Sequence, residues 1–439
     1  MRNPNYRRYV AGTLVSNTGT WMQRIAQDWL VLSLGGGGTA LGITTGLQFL
    51  PVLLLSPFAG VLADRFPKRR LLQVTQATMG LTALLLGLLA VSDVAQTWHV
   101  YLVALVSGVG AAFDGPARQA FVSEMVGPDE LGNAVGLNSA SFNLARILGP
   151  AVAGLMIGAL GGGVPATGWV ILLNAVSYLA VIGQLQRMDV TLLRSPQLRG
   201  RQPGALREGV AYVRGQPRMI LVLIIVFFAG TFGMNFQITS ALMATEVFDK
   251  GAAELGVLGS AMAVGSLTGA LLAARRVTVR LRLIVLAAVG FGVAEIIAAG
   301  LPSYVTFALF APLIGLFTLT LLNSANTTLQ LASAPELRGR VMALYMTIVM
   351  GGTPIGSPVV GLIGEHAGPR WTLVFGGVMV LVGTGLAVLV YARLTGGLSG
   401  LVEQVRHPRV GAADLAPVAA PAASPGSPAQ ERGSAPAAF

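Results

Sequence analysis

Ionisable residues lie inside long apolar segments of this 439-residue chain, where few routes to water exist. Arg24 and Asp28 are four residues apart in the first of these segments, a spacing that puts them on one helix face and lets them pair. Burial and a movable arginine act in opposite directions on the proton affinity of a carboxyl group. Asp28 is therefore the first candidate for carrying a proton, and a static structural pair with Arg24 is the alternative.

Two other charged residues fall inside apolar segments. Charged groups at membrane depth are costly and usually functional. Glu295 is the second acidic candidate, and the alternative is that it lies near enough to a helix end to reach water. Arg146 is an alternative cation in the fifth segment. The candidates for proton coupling are thus Asp28, Arg24, Glu295 and Arg146.

Neutral polar and aromatic residues could line a cavity. Asn17 and Thr20 share the stripe of Arg24 and Asp28 in the first segment. A second polar face in the tenth segment could either line a cavity or join the tenth helix to the eleventh. The cavity-lining candidates are Asn17, Thr20, Trp21, Asn138, Phe232, Phe236, Asn323, Asn326 and Gln330.

These residues need helices to position them. Hydrophobic residues make up 54% of the chain and charged residues only 11%, with a mean hydropathy of +0.70, which favours an all-α polytopic membrane protein. The apolar runs are about 20 residues long, as spanning helices require. We predict twelve spans near 9–34, 40–63, 71–92, 98–119, 132–160, 168–186, 218–246, 253–274, 282–301, 304–330, 336–364 and 371–392.

Charge placement orients these spans. Alternate loops on one side hold only Lys250 and Arg370, whereas the other side carries nearly all the remaining lysines and arginines. The positive-inside rule then predicts a multi-pass protein of the cell (inner, cytoplasmic) membrane with both termini in the cytoplasm.

The two halves of the chain resemble each other at an offset of 207 residues. That offset aligns Pro128 with Pro335, Gly149 with Gly356, and a further set of matched positions, Gly132 with Gly339, Gly154 with Gly361 and Gly161 with Gly368. Two parallel six-helix pseudo-repeats are a transporter architecture. We predict bundles at 1–186 and 218–392, a cytoplasmic linker at 187–217 with a short interfacial helix near 204–216, and a disordered cytoplasmic tail at 393–439.

Composition argues against several other classes. The net charge of +11 could suggest a nucleic-acid partner, but clustering in short loops favours the lipid bilayer as the partner instead. The chain has no cysteine and three scattered histidines, so we expect no disulfide and no metal site. No phosphate-binding loop or catalytic cluster is recognisable, and we expect no catalytic residues and no cofactor.

A charged loop follows the second span. Asp64 lies at the end of its helix, and the start of the eleventh span, with a Ser333-x-x-Glu336 capping-box spacing, is its predicted partner on the cytoplasmic side. Such a contact would form a gate between the halves; loop charges that only anchor topology are the alternative. The gating candidates are Gly60, Asp64, Arg65, Lys68, Arg69, Arg338 and Arg340.

Proline and glycine recur in the fifth and eleventh spans. Proline removes a helix bond and bends the helix, and glycine lets a neighbouring helix approach closely. Such helices suit halves that rock against each other, although tight packing alone is the alternative. The residues concerned are Gly149, Pro150, Gly154, Pro354, Gly356 and Pro358.

Several stretches together resemble a known family. The loop Gly60-x-Leu62-Ala63-Asp64-Arg65-x-x-Lys68-Arg69, with Pro67 where glycine is usual, resembles the signature loop of the major facilitator superfamily. Residues 17–23, 112–118 and 338–345 narrow the resemblance to its multidrug and siderophore exporter branch, which includes enterobactin-exporter-like proteins, and 148–154 resembles the antiporter motif.

The resemblance implies a monomeric secondary transporter that is not an enzyme. It would export amphipathic or hydrophobic small molecules, drug-like or siderophore-like, in exchange for protons by alternating access. A transporter that flips lipid-like substrates is the main alternative. A membrane-embedded enzyme or a transport-dead sensor would need a catalytic cluster or a signalling domain.

Overall fold

The computed structural model describes residues 3–193, 205–274 and 280–397, and these residues form helices without any strand. In the first half the long helices are α1 (Pro4–Ser33), α2 (Gly38–Arg65), α3 (Lys68–Val91), α4 (Thr97–Met125), α5 (Pro128–Ala159) and α6 (Val164–Gln186). The rest are α7 (Ala205–Arg214), α8 (Pro217–Phe228), α9 (Phe236–Leu242), α10 (Ala252–Ala274), α11 (Leu281–Ala299), α12 (Tyr304–Ala332), α13 (Arg338–Gly351), α14 (Thr353–Ala367) and α15 (Pro369–Thr395). The predicted tail lies outside the described residues from position 398 onward.

Eleven helical segments in the described ranges are long and apolar enough to cross a membrane. Two of them are composite. The seventh predicted span joins α8 to α9 through the π-helical stretch Ala229–Gly233 and ends in a second one, Met243–Val247, and the eleventh joins α13 to α14. Helix α1 has 30 residues but is too polar to be counted among the eleven. It packs between α5 and α6, where its polar face, including Gln23, Gln27 and Asp28, is buried by protein rather than by lipid.

Glycines matched by the 207-residue offset make matched contacts. Gly149 of α5 packs against Trp21 in the first span, and Gly356 of α14 packs against Thr231 in the seventh. The next matched pair behaves in the same way, because Gly154 contacts the eighth span (α10) and Gly361 contacts the second (α2). Equivalent glycines in the two halves therefore contact equivalent spans, as expected for two pseudo-repeats.

Short polar elements join the two halves. A 3-10 turn at Val190–Leu192 follows α6, and hydrogen bonds between Asn5 and the backbone of Asp189 (2.7 and 3.0 Å) tie it to the start of α1. Helix α7 is the predicted interfacial helix, and its Val213 is buried. Most of the predicted linker between these elements, residues 194–204, lies outside the described residues.

Loops alternate between two sides of the bundle because consecutive spans run in opposite directions. We call the side with residues 66–67, 126–127, 187–193 and 333–337 the termini side. The side with residues 34–37, 92–96, 160–163, 248–251 and 300–303 is the far side.

The two halves are joined toward the far side. The start of α2 packs on α14, and the end of α5 packs on the start of α10. Among the described residues, every side-chain hydrogen bond between residues 3–186 and 217–397 lies in this region. Toward the termini side, the matched glycines Gly132 and Gly339 face open space. The halves are therefore closed on the far side and separated on the termini side.

Candidate functional site

Asp28 joins the two halves near the closed end. Its side chain is 3% exposed, and its Oδ2 accepts a hydrogen bond of 2.7 Å from Nε2 of Gln237. Asp28 comes from α1 and Gln237 from α9, so a carboxyl group that could carry a proton directly contacts the opposite half. Any change in its protonation would change this contact.

Local unwinding in the seventh span positions Gln237. The π-helical stretch Ala229–Gly233 ends just before Asn235, whose Nδ2 donates to the carbonyls of Thr231 (2.9 Å) and Phe232 (3.1 Å). Oδ1 of Asn235 accepts a 2.9 Å hydrogen bond from Ser357 of α14. Single-turn π segments occur often at functional sites. Here the break sets where α9 begins and which of its side chains reaches α1.

The predicted pair of Arg24 with Asp28 does not form in this structure. The described residues include no ion pair for either side chain. The carboxylate of Asp28 accepts a hydrogen bond from Gln237 instead. The guanidinium carbon of Arg24 lies 4.6 Å from the ring centre of Trp21 and 5.8 Å from that of Phe49, a cation–π arrangement. Arg24 is thus held by aromatic rings, close to Asp28 but not bonded to it.

Glu295 is buried in the second half rather than close to water. Its side chain in α11 is 2% exposed, and its Oε2 has no hydrogen-bond partner in the described part of the chain. A Cβ added at Gly376 of α15 would come within 3.0 Å of that oxygen, so the glycine makes room for the carboxyl group. The described residues include no ion pair for Glu295.

The hydrogen-bond ladder of α5 is interrupted next to Pro150, and a hydroxyl group from the other half bonds to the backbone there. Ser260 Oγ of α10 donates to the carbonyl of Ile147 (2.5 Å) and accepts from the N–H of Ala151 (3.1 Å). These two backbone groups would bond to each other in a regular helix. The Ser260 hydroxyl is therefore inserted into the α5 hydrogen-bond ladder, where it fastens the two halves together.

Replacing Ser260 with alanine should weaken closure of the far side. The change leaves the Ile147 carbonyl and Ala151 N–H without their partner, a loss of about 1–3 kcal/mol that applies only while α5 and α10 are in contact. Spin-label distances across the far side should show a larger separated population. Thr268→Ala is the matched control, because among the described residues the Thr268 hydroxyl bonds to the carbonyl of Val264 in its own helix and to nothing in the other half. Equal distributions in the two variants would contradict the role given to Ser260.

A second contact fastens the far side. Oε2 of Glu365 in α14 accepts a 2.8 Å hydrogen bond from the N–H of Thr39 at the start of α2. A carboxylate is favourable at a helix N-terminus. This is the type of contact that the sequence predicted for Asp64 on the termini side, but the structure shows it at the opposite end of the same pair of spans.

None of the predicted gate residues whose side chains the structure describes bonds to the opposite half in this state. Lys68 pairs with Glu124 of its own half at 2.7 Å, and Arg340 pairs with Glu208 of α7. The side chains of Gly60 and Asp64 lie outside the described residues, Arg65 and Arg338 are exposed, and Arg69 is partly buried. The capping-box prediction was wrong: Ser333 bonds to Leu329 at the end of α12, and α13 begins only at Arg338.

Most predicted cavity residues are partly exposed, and Phe236 is an exception. Phe236 is 6% exposed and stacks on Phe307 inside the second half, so it does not line an opening between the halves here. Phe232 packs edge-on against Phe375, at 5.6 Å between ring centres. Thr20 bonds to Ser16 of its own helix (2.8 Å). The partly exposed candidates are Asn17, Thr20, Trp21, Asn138, Phe232, Asn323 and Asn326.

The polar face of α12 does not join it to α13. Gln330 donates a 2.5 Å hydrogen bond to Asn326 within α12, whereas the hydroxyl of Tyr345 in α13 bonds to the carbonyl of Leu322 (3.1 Å). Of the two alternatives for this face, the one in which it joins the two helices is therefore not observed in the described residues. Asn323, Asn326 and Gln330 remain available to face an opening.

A buried polar network on the termini side of the first half was missed. Asp114 of α4 accepts hydrogen bonds from Gln76 (2.7 Å) and Thr75 (2.9 Å) of α3 and pairs with Arg118 (3.0 Å). The Asp114-x-x-x-Arg118 spacing was the available signal. Together with the Lys68–Glu124 pair, this network holds α3 and α4 together as one unit.

Replacing Glu124 with glutamine should destabilise the first half. The change leaves the Lys68 ammonium group buried without its counter-charge, which costs about 3–5 kcal/mol for buried pairs. We expect a clear drop in the melting temperature of the purified protein, with recovery in the double variant Lys68→Met, Glu124→Leu. Asp129→Asn, at an exposed position in the first turn of α5, is the control. A melting temperature equal to that of the control would refute the contribution of the pair.

These features define a class of protein. Helical membrane halves related by a repeat, a carboxyl group at their junction and closure on one side only are the properties of a secondary transporter. A family model described as transmembrane secretion effector matches residues 1–404, so the chain belongs to this family of the major facilitator superfamily.

Relatives and solved structures agree with this assignment. The chain is 28% identical over 367 residues to the multidrug efflux pump Tap of Mycolicibacterium fortuitum, an alignment that covers 81% of this chain and 88% of the relative. It is 24% identical to macrolide efflux protein A of Streptococcus pyogenes, with 85% and 92% covered. It is also 33% identical over 140 residues to the staphyloferrin A transporter of Staphylococcus aureus (strain NCTC 8325 / PS 47), covering 32% of this chain and 35% of that protein.

The fold matches solved major facilitator structures. A bacterial homologue of the human lysosomal transporter Spinster, in an inward-facing and unoccupied conformation, gives a TM-score of 0.70 at 14% identity and covers 89% of this chain and 98% of that one. A bacterial homologue of the iron transporter ferroportin in an inward-facing state also gives 0.70, at 16% identity, covering 89% and 99%.

Proposed function

We propose that this protein exports amphipathic or hydrophobic small molecules, drug-like or siderophore-like, in exchange for protons. The main support is the hydrogen bond between Asp28 and Gln237, which puts a titratable group at the junction of the two halves. The multidrug, macrolide and siderophore relatives support the substrate class.

The cycle follows from the contacts. In the described state the termini side is open, and a substrate enters there between the halves. Residues 1–186 then rock against residues 218–392, and the α2–α14 and α5–α10 contacts separate as the far side opens. Protonation of Asp28 removes the negative charge that accepts the Gln237 hydrogen bond, so the proton load changes the stability of the closed far side. Glu295 is a second candidate for carrying a proton.

We also propose the setting of this cycle. The excess of arginine and lysine on the termini side supports a cell (inner, cytoplasmic) membrane location with both termini in the cytoplasm. Export then runs from the termini side to the far side, and the protein works as a monomer, since each half supplies its own share of the site.

Transport by reconstituted protein tests this function. Proteoliposomes with an imposed pH gradient would be offered a macrolide, a lipophilic cationic dye and staphyloferrin A. We expect accumulation of at least one of these compounds only with the gradient, and collapse of that accumulation when a protonophore is added. Accumulation that ignores the gradient would refute proton exchange, and lack of transport of the whole panel would refute the substrate class.

A further inference from the structure

Two arginines at the candidate site form no ion pair with an acidic residue in the described part of the chain. The Nε atom of Arg24, and both Nε and Nη2 of Arg146, are buried without a hydrogen-bond partner in the described part of the chain. Neither guanidinium forms an ion pair with a described residue. An arginine carries five N–H donors in a planar fork and stays charged in proteins. Two such groups therefore have donors that this structure leaves free.

The two arginines are close neighbours across the contact between α1 and α5. Gly149 of α5 packs directly on Trp21 of α1, which brings together the helical segments that carry Arg146 and Arg24. The ring of Trp21, which lies 4.6 Å from the Arg24 guanidinium, also contacts the ring of Phe142 edge-on at 5.8 Å between centres. Phe142 lies one helical turn before Arg146 on α5. Arg24 thus contacts this aromatic pair, and Arg146 lies one turn beyond it on α5.

The local charge balance favours an anion. Asp28 lies four residues from Arg24 on the same helix, but its carboxylate is already bonded to Gln237. Leaving a buried charge without a partner is strongly unfavourable. Planar guanidinium groups bind carboxylates through paired N–H donors. The missing partner therefore has the chemistry of a carboxylate or a similar oxyanion.

We propose that Arg24 and Arg146 bind the carboxylate of an amphipathic substrate, whose apolar body lies against Trp21 and Phe142. Phe142 is 43% exposed and so offers a surface to such a body. This inference rests on the proposed export function and narrows it, because it makes amphipathic organic anions the preferred substrates. Chloride or another inorganic anion, which also carries a negative charge, is the alternative ligand for these two arginines.

Two ligands that differ only in the acidic group test this proposal. Pyrenebutyrate and pyrenebutanol share one apolar body, and the alcohol lacks the carboxylate. Their binding to the purified full-length protein in lipid nanodiscs would be followed by pyrene fluorescence anisotropy. The measured quantity is the ratio of the two affinities.

Wild-type protein should prefer the carboxylate. Arg146→Gln should reduce that preference by about 10- to 100-fold, as expected for losing charge-assisted hydrogen bonds. Arg146→Lys should retain part of it, because the charge remains while the fork is lost. Arg282→Gln, at an exposed position at the start of α11, should leave the ratio unchanged.

Three results would overturn the proposal. The first is a wild-type protein without preference for pyrenebutyrate. The second is an Arg146→Gln ratio equal to the wild-type ratio, even if both affinities fall. The third is loss of the preference when millimolar chloride is added to a low-salt buffer without other carboxylates, which would assign the arginines to an inorganic anion.

Failure of the anion site and failure of the export function can be told apart. Gradient-driven accumulation of the macrolide or the dye in proteoliposomes, together with an unchanged Arg146→Gln ratio, would refute the anion site alone. A lack of accumulation of every compound, pyrenebutyrate included, would refute export. The ratio of the pyrenebutyrate and pyrenebutanol affinities would still show whether Arg146 binds the carboxylate.

Discussion

Replacing Asp28 with asparagine should reduce gradient-driven substrate accumulation to the level seen without a pH gradient. Asparagine keeps the size of the side chain and can still accept the hydrogen bond from Gln237, but it cannot take up a proton. The substitution thus separates the contact from the proton chemistry. Exchange of labelled substrate at equal pH on both sides should persist. Both processes can be measured in the same proteoliposome preparation.

Two further variants sharpen this experiment. Asp93→Asn changes an exposed carboxyl group in a far-side loop and should keep wild-type accumulation. Gln237→Leu removes the contact but leaves the carboxyl group, so coupling should persist while the balance between states shifts. Full gradient-driven accumulation by Asp28→Asn would show that Asp28 is not the proton carrier. Glu295 would then be the remaining candidate, and Glu295→Gln would test it.

Replacing Gly154 with alanine should prevent normal closure of the far side. An added methyl group would lie 3.0 Å from the Cα of Gly256 and closer still to the carbonyl oxygen of Ala252, and both of these are backbone atoms that cannot rotate away. Overpacking of this kind costs about 1–3 kcal/mol. Because the clash exists only while α5 and α10 are in contact, the population of the closed far side should fall about 5- to 150-fold. Transport should fall with it.

Gly158→Ala is the matched control for this effect. It lies one turn later on the same helix, and its added methyl group would be 3.5 Å from the Cβ of Ala253, an ordinary contact. Both variants should fold, since neither glycine has an unusual backbone conformation. Equal spin-label distances across the far side in Gly154→Ala and Gly158→Ala would show that the close approach of α5 and α10 does not control closure.

Helices and repeats were predictable because local sequence determines them. The second predicted span, 40–63, corresponds to Gly38–Arg65, and the repeat identified glycines that do permit close helix contacts. The fourth span was predicted to end at residue 119, but α4 continues to Met125. Its last turns contain Arg118 and Glu124, whose charges are matched by Asp114 and Lys68. Hydropathy alone cannot anticipate such pairing.

The site was less predictable because its contacts join residues far apart in sequence. Asp28 was identified from burial of charge, but the partner expected from four-residue spacing was Arg24, and a side chain 209 positions away takes its place. Ser260 carries no sequence signal at all, since its role depends on the gap that Pro150 opens in another helix. Helical spacing shows which residues share a face of one helix, but it does not show which groups of another helix will bond to them.

Distances between spin labels on both sides of the membrane test the central claim most directly. The chain has no cysteine, so labels can be introduced in pairs, as Phe66→Cys with Glu336→Cys on the termini side and as Val94→Cys with Pro302→Cys on the far side. All four positions are exposed. Alternating access predicts opposite changes when pH or substrate shifts the equilibrium: the termini-side distance shortens as the far-side distance lengthens. Changes of the same sign on both sides, or far-side contacts that never separate, would contradict it.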